Sequence, residues 1–388
     1  MIKGIKVMLL PNNKQKTKLF QCAGVARWAY NWTLGRQKES YEQGDKFISD
    51  GDLRKELTQL KKTDEYKWLN KYSNNITKQA IKDACDAYKR FFKGYSKFPR
   101  FKSKKKSEPK FYQDNIKIQF TETHVKLEKL TDSTKKNKQK LNWIRLAEKN
   151  RIPYGKDVKY INPRISFDGL NWWVSVGIEY KDNTEIPTNN GIGIDLGIKE
   201  LAMCSDDIVY SNINKTDKVR KLEKRLKRKQ RQVSRKYEIN KQENTFIKTK
   251  NIVKIGNEIR KLHKKLKGIR HNYVHQTTSE IINRKPMFIV LEDLNVKGIM
   301  KNKHLSKAIA QQCLHEVKRQ IEYKSLWNNI KVIIADRFFP SSKLCSQCGQ
   351  VKKDLKLSDR TYECNCGNVM DRDLNAAINL RNYGKKSA

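Results

Sequence analysis

Cys345, Cys348, Cys364 and Cys366 lie within 22 residues, spaced as C-x2-C, fifteen residues, then C-x-C. Thiolates paired on two short turns converge tetrahedrally on one Zn²⁺, and Gly349 and Gly367, each just after the second cysteine of a pair, suit the tight turns of a zinc ribbon. Four thiolates leave no open position for water, so the zinc would be structural. A segment this short has no core of its own, and metal binding on the order of 10 kcal/mol would fold it. The second pair is one residue shorter than the usual C-x-x-C, which means either a compressed knuckle or weaker metal binding. Two unrelated cysteine pairs or a redox dithiol is the competing reading. Cys22, Cys85, Cys204 and Cys313 sit in apolar or helical contexts and read as small buried residues.

Three carboxylates stand out by context. Asp195 lies in the apolar strand GIGIDLGIK, where a lone charge is costly unless paired or bound to metal. Glu292 follows the apolar run FIVL, and Asp373 opens a helical pattern, DLNAAINL, just after the cysteine cluster. Each alone could merely cap a turn. Two strand carboxylates and one on a later helix, in a basic chain, match a two-metal phosphodiesterase, whose hard oxygen ligands hold two Mg²⁺ about 4 Å apart. Asp293 alternates to the other side of its strand and is a weaker candidate; Asp371 faces elsewhere on the helix start and reads as a cap.

The elements that must position these groups follow from periodicity. Ile5, Val7 and Leu9 alternate in a first strand ended by Pro11. Apolar residues at helical spacing predict at least three helices over 12–96. A broken basic stretch at 98–106 leads to strand-like runs at 116–120, 125–130, 142–147, 159–167 and 171–180, which suggest a small β-barrel joined by the first strand. The lysine-rich loop at 135–140 reads as solvated or touching a nucleic-acid backbone, and residues 181–190, without periodicity, read as a linker. The pattern beyond is α/β, opening with a hairpin of Gly191–Ile198 and Leu201–Cys204. Ile252, Ile255, Ile259, Leu262, Leu266 and Ile269 then form a seam for packing against an equally charged helix at 217–237.

The 388 residues carry 84 Lys and Arg against 41 Asp and Glu, a formal charge of +43, with 37% hydrophobic residues. Such charge repels itself unless a polyanion neutralises it, so nucleic acid is the default partner and a membrane surface the weaker one. The apolar content excludes a disordered basic tail. No run approaches the roughly 18 apolar residues of a membrane span. The opening MIKGIKVMLLPNNKQK has too short an apolar stretch for a signal peptide and no small-residue cleavage site, so a cytoplasmic, thiol-reducing setting is expected.

Together, GIDLGIK at 193–199, VLEDLN at 290–295, PSSKLCSQCG at 340–349 and DRDLNAAINL at 371–380 resemble the RuvC motifs and zinc ribbon of TnpB proteins, RNA-guided nucleases of bacterial insertion sequences and relatives of the type V CRISPR effectors. LPN at 10–12, RWAYN at 27–31 and FPRFKSK at 98–104 are also similar to theirs, so the resemblance spans nearly the whole chain. It implies an α/β and α+β multidomain fold: an RNase H-like (RuvC) nuclease domain with an inserted zinc ribbon, preceded by a wedge β-barrel carrying a helical recognition insertion. The implied boundaries are 1–11 for the first barrel strand, 12–97 for the recognition lobe, 98–183 for the rest of the barrel, 184–190 for a linker, 191–339 for the nuclease domain, 340–368 for the ribbon, and 369–388 for a C-terminal helix and tail.

The resemblance implies a catalytic triad of Asp195, Glu292 and Asp373 holding Mg²⁺, with Asp373 preferred to Asp371 because the family's third carboxylate directly precedes the residue before Asn-Ala-Ala. It also implies a guide RNA from the element's own end and a double-stranded DNA target cut beside a short flanking motif. Base pairing would read sequence while a basic channel grips backbone and A-form shape. The alternatives are a nuclease that reads DNA structure without RNA, such as a junction resolvase, and a guide-dependent repressor that binds without cutting.

Overall fold

The computed structural model describes residues 1–131, 141–155, 157–180, 186–187, 189–243, 245–356 and 359–387. The chain forms two compact units, Met1–Lys181 and Asp182–Ala388.

In the first unit, strand β1 (Ile2–Leu10) is followed by helices α1 (Asn13–Glu42), α2 (Asp50–Leu60) and α3 (Asn74–Phe92). Pro11 ends the strand and Asn12 starts the helix through a capping box: Asn12 Oδ1 accepts from the Gln15 backbone at 2.9 Å, and Gln15 Oε1 accepts from the Asn12 backbone at 3.0 Å. Strands β2 (Lys110–Tyr112), β3 (Gln119–Phe120), β4 (His124–Lys126), β5 (Trp143–Leu146), β6 (Tyr160–Phe167) and β7 (Trp172–Glu179) complete an antiparallel sheet of order β2-β6-β7-β1-β5-β4-β3. The opening strand is thus internal, paired with β7 from Ile2↔Glu179 to Leu9↔Trp172. Its Val7 and Leu9 join one core with Leu19, Val25 and Leu34 of α1 and Ile76 and Ile81 of α3. The Gln15 amide fixes α1 to the sheet by donating to the carbonyls of Leu141 and Trp143.

Three local expectations are corrected. The strand expected at 116–120 is shortened to β3 because Asp114 caps a turn, accepting from the backbones of Ile116 and Lys117, and leaves Ile116 in solvent. The strand expected at 125–130 stops at Lys126, where Asn142 Oδ1 accepts from the backbones of Leu130 and Thr131. Within the basic stretch at 98–106, Lys102 is half-buried with its ammonium 3.1 Å from the Tyr30 ring centroid. Burial, aided by Lys110, brings its pKa down to about 8. The expected basic loop at 135–140 and most of the expected linker fall outside the described residues.

The second unit begins with β8 (Ile192–Leu196), β9 (Glu200–Cys204) and β10 (Val209–Ser211), then α4 (Asp217–Ile239), the short pair β11 (Lys241–Gln242) and β12 (Thr245–Phe246), and α5 (Lys250–Asn283). There follow β13 (Phe288–Glu292), α6 (Val296–Ile299), α7 (Ser306–Gln312), α8 (Leu314–Trp327), β14 (Lys331–Ala335), β15 (Thr361–Glu363), β16 (Val369–Asp371) and α9 (Arg372–Ser387). The main sheet has the order β10-β9-β8-β13-β14, with β8, β13 and β14 parallel and β9 and β10 antiparallel to their neighbours. Cys313 is half-buried with φ 58°, breaking α7 from α8, and so departs from the other three isolated cysteines, which are buried as expected.

Strand alternation separates the two faces of this sheet. Ile192, Ile194, Leu196, Ile289 and Leu291 pack with Val274, Ile281, Leu314, Val317 and Ile321 of α5 and α8. Phe288, Val290 and Ala335 point the other way, to Leu380 of α9. Because β13 is buried on both faces, it reads as an unbroken apolar run. The α4–α5 pair has its own seam of Val219, Leu226, Leu262 and Leu266, flanked by Ile259 and Ile269, so four of the six α5 residues expected from the spacing join it, while Ile252 and Ile255 are buried outside it. Among the described residues, no helix is long and apolar enough to cross a membrane.

Helix α9 lies directly on β8. A Cβ at Gly193 would stand 2.1 Å from the Ala377 carbonyl oxygen and 2.4 Å from the Arg381 nitrogen, both backbone atoms that cannot rotate away. Gly193→Ala is therefore expected to destabilise the second unit by about 2–4 kcal/mol. Gly24→Ala, in open space inside α1, should stabilise the chain by about 0.5–1 kcal/mol. Thermal melting of the two full-length variants checks the pair of signs.

Candidate functional site

Asp195 and Glu292 meet by register. Ile194 pairs with Leu291 on parallel strands, so the next residues on each strand, Asp195 and Glu292, stand level about 4.8 Å apart along the sheet. Both share the parity of Gly193 and Val290 and therefore the face covered by α9. Asp373 is in the first turn of α9, and the contact at Gly193 carries that turn toward the same strand ends. The three sequence-predicted carboxylates are brought to one face, and they interact. Burial first, then the charges of Glu292 and Asp373, push Asp195 well above the usual carboxylate range, with Arg372 acting in the opposite direction.

The two acids set aside on sequence are engaged elsewhere. Asp371 caps α9: its Oδ1 accepts from the backbone N–H groups of Asp373 at 2.8 Å and Leu374 at 3.2 Å. Asp293, on the α8 side, pairs with Arg337 at 2.5 Å and Lys318 at 3.7 Å, and the Arg337 guanidinium holds it below its ordinary value.

The four cysteines converge. Sγ atoms of Cys345 and Cys366 are 3.6 Å apart, as are those of Cys348 and Cys364, and all four lie within 4.8 Å of one another. Four sulfurs at about 2.3 Å from one Zn²⁺ stand roughly 3.8 Å apart, so the cluster has the dimensions of a tetrahedral S₄ site. The compressed second knuckle closes by a tighter turn. In the first, the Gly349 N–H reaches back to the Cys345 carbonyl over four residues; in the second, the Gly367 N–H reaches the Cys364 carbonyl over three. Both glycines have positive φ, 76° and 89°. Asn368, directly after the shorter knuckle, donates through Nδ2 to Cys345 Sγ at 3.4 Å. Burial opposes ionisation of Cys345, but this bond and backbone N–H groups of its own knuckle bring its pKa to about 6.

Sequence reasoning missed the residues that join the two sites. Ser341, buried ahead of the first knuckle, donates its hydroxyl to Glu292 Oε1. Asn379 donates to the carbonyls of Ser341 at 2.8 Å and Leu344 at 2.6 Å, and Asn375 donates to Leu344 and accepts from the Ser346 N–H. Asn375 and Asn379 are four residues apart on α9, so the one available signal was an i, i+4 pair of asparagines in an otherwise apolar helix face. Arg372 Nη2 lies 3.1 Å from Asp373 Oδ1. A cleft of about 430 Å³ on the α8 side of Glu292 is lined by Lys318, Arg319 and Arg337, which pair with Asp293 and Glu316, and by Glu322.

Three regions match known families. Residues 1–46, here β1 and α1, match one described as a helix-turn-helix domain; residues 175–303 match "Probable transposase"; and residues 315–380 match "Cas12f1-like, TNB domain". An Escherichia coli (strain K12) protein named "Putative RNA-guided DNA endonuclease InsQ" is 28% identical over 98% of this chain and 91% of its own length. A Streptomyces pristinaespiralis protein of the same description, without the final word, is 29% identical over 97% of this chain and 88% of its own. The fold is similar to a chain in the cryo-EM structure of the Cas12f1-sgRNA-target DNA complex, at a TM-score of 0.58 and 14% identity over 95% of this chain and 82% of that one. With matches at the start, middle and end, and relatives aligned along nearly its whole length, the chain is similar throughout to the TnpB-type relatives of the type V CRISPR effectors that its motifs resemble.

Proposed function

We propose that this protein is an RNA-guided DNA endonuclease of a transposable element, as the names of its relatives suggest, and that it cuts double-stranded target DNA beside a short flanking motif. The observation that carries the reading is the meeting of Asp195, Glu292 and Asp373 on one face of the β8–β13 sheet, in a chain of charge +43. The strand order, with β8 central and β9 and β10 turned antiparallel, supports an RNase H-like (RuvC) domain over 191–339 and 369–388 with the ribbon of 340–368 inserted. The seven-stranded sheet supports a wedge barrel of 1–11 and 98–183, with the helices of 12–97 as its recognition lobe. Nucleoid association in a bacterial cytoplasm follows from the same reading.

The donor set fits hard divalent cations: three carboxylates, one of them held up by the charge of the other two, gain from sharing a cation. Two Mg²⁺ held by Asp195, Glu292 and Asp373 would supply charge stabilisation to phosphodiester hydrolysis. The chain's own part is positioning. Ser341 fixes the Glu292 carboxylate, and Arg372 and the Asp371 cap fix Asp373. The cysteine cluster fits Zn²⁺ as a structural ion.

Asp195→Asn, Glu292→Gln and Asp373→Asn are each expected to abolish cleavage while leaving nucleic-acid binding within about twofold, since none contributes a phosphate contact. Asp371→Asn retains the cap and should cut at near the normal rate; an inactive Asp371→Asn with an active Asp373→Asn would reverse the assignment. Asp195 ionises at higher pH in the folded chain than in the unfolded one, so the stability it contributes is lost as pH rises from the ordinary carboxylate range through its raised value. Without Mg²⁺ at neutral pH, Asp195→Asn should therefore melt higher than the parent.

Zinc removal is expected to open the 340–368 segment to protease while unit Met1–Lys181 stays resistant. Native mass spectrometry beside limited proteolysis reads both; a metal-free but resistant ribbon would exclude the zinc assignment.

RNA guidance is tested with one plasmid and three samples: RNA-free protein, protein with a guide matching the plasmid, and protein with a scrambled guide, all with Mg²⁺. Cutting is expected only with the match. Equal cutting in all three would favour a structure-specific nuclease, and guide-dependent binding without cutting a repressor.

A further inference from the structure

The end of α3 and the strand-free segment after it carry an unusual composition. Residues 87–107 hold nine Lys and Arg, no Asp or Glu, and six aromatics: Tyr88, Phe91, Phe92, Tyr95, Phe98 and Phe101. The backbone folds these rings together. Gly94, with φ 72°, donates to the Phe91 carbonyl and Tyr95 to the Arg90 carbonyl, a Schellman-type end that turns the chain back on the helix. Phe98 then lies 5.6 Å from Tyr88 and 5.2 Å from Phe91, while Phe92 stacks on Tyr88 at 6.1 Å and meets Phe47 at 6.0 Å edge-on.

The cluster is not closed into the core. Phe92 is 66% exposed, Phe98 56%, Tyr95 79%, and Tyr41 across the groove 83%. Between them is a cavity of about 620 Å³ whose walls are mostly ring and methylene, with Lys38 and Lys46 on the α1 side beside Glu42 and Asp45. Exposed rings in this number lose free energy to water unless something covers them.

Charge selects what does. A second copy of this chain would bring +43 against +43, and an apolar protein partner gains nothing from the Lys and Arg that flank Phe92 and Phe98 in sequence. Stacking rings bordered by lysine and arginine suit a polyanion that offers flat apolar faces, which is unpaired nucleic acid. On the far wall Glu42 and Asp45 stand beside Lys38 and Lys46 and leave it without net charge, so the excess of cations at 89–106 favours the phosphate backbone on that side, with the sugars facing the acids. A ribose presents a 2′-hydroxyl that those carboxylates can accept from, and deoxyribose has none.

We propose that this groove is a binding site for unpaired RNA, with bases stacked on Phe92, Phe98 and Tyr41, phosphates on Lys93 and Lys97, and 2′-hydroxyls toward Glu42 and Asp45. The proposal rests on the reading that RNA is a partner of this protein. It adds where single-stranded segments of that RNA are held.

The test uses full-length protein freed of nucleic acid and three labelled probes: a 20-nucleotide oligouridine, an RNA duplex of 20 base pairs, and a 20-nucleotide oligothymidine. Phe92→Ala with Phe98→Ala is expected to weaken oligouridine binding on the order of 10- to 100-fold with an unchanged log–log salt slope, because stacking and no phosphate contact is removed. Duplex binding should not change, since paired bases cannot enter the groove. Phe92→Tyr with Phe98→Tyr should restore affinity, which separates stacking from misfolding. Lys93→Gln with Lys97→Gln should instead reduce the salt slope by roughly 0.7 per lost contact. Glu42→Ala with Asp45→Ala should lower the preference for oligouridine over oligothymidine.

Equal loss on duplex, or full affinity in the double alanine variant, overturns the site. Full affinity in Phe92→Leu with Phe98→Leu overturns stacking as its basis, and a preference for oligothymidine assigns the groove to DNA. A change of molar mass in light scattering on the alanine substitutions assigns it to self-association. If the parent protein binds none of the RNA probes, the RNA-guided reading itself fails along with the site.

Discussion

The second unit depends on the bare backbone contact between Gly193 of β8 and the Ala377–Arg381 turn of α9. A helix ordinarily rests on a sheet through side chains, at about 10 Å. Here one missing Cβ lets the helix backbone touch the strand, so the first turn of α9 comes within reach of the strand ends. That proximity is what sets Asp373 beside Asp195 and Glu292, three acids in a chain with twice as many cations as acids. The cluster opposes folding, because burial and the charges of Glu292 and Asp373 raise the cost of ionising Asp195. It persists because the surrounding packing is strong: β13 is buried on both faces, and Leu380 and Val290 are wholly enclosed.

The cations are arranged to a different rule. Helix α4 carries eleven Lys and Arg against three acids, yet only Val219 and Leu226 of it are buried. Its stability comes from one seam against α5 and from a few cross-links, such as Arg270 with Glu223 at 2.6 Å and Lys229 with Glu258 at 2.8 Å. Among the described residues, the other cations of α4 form no salt bridge. A polyanion would lower the self-repulsion of this pair directly, so nucleic-acid binding and helix stability are linked in the same residues.

Much of this was legible because each element obeys a single period. The apolar runs of β8 and β13 expose the two acids at their ends, and the cysteine spacing announces its own chemistry. What escaped reading was held by single polar contacts. Strand β2 is three residues in a basic stretch and exists through its pairing with β6. Ile116 looks like strand but is overruled by the Asp114 turn. Lys102 looks like surface but is drawn onto Tyr30, with Asn31 accepting from its N–H and donating to its carbonyl. Ser341 and the Asn375–Asn379 pair have no distinctive spacing to cysteine or acid, because their partners are main-chain groups and one carboxylate brought near only by the fold.

Those last contacts alter how the ribbon is to be understood. It is inserted between β14 and α9, and its β16 ends at Asp371, the cap of α9. Ser341 at its entrance grips Glu292, Asn375 and Asn379 grip its first knuckle from α9, and Asp371 at its exit orients the turn that bears Asp373. Two of the three carboxylates are therefore braced by the segment that the cysteines organise, while Asp195 is set by the sheet without that brace. A disordered ribbon would free the Glu292 carboxylate and the start of α9 while leaving β8, β9 and β13 paired. In the proposed nuclease, the cysteine cluster would then act on cleavage through the geometry of Glu292 and of the start of α9.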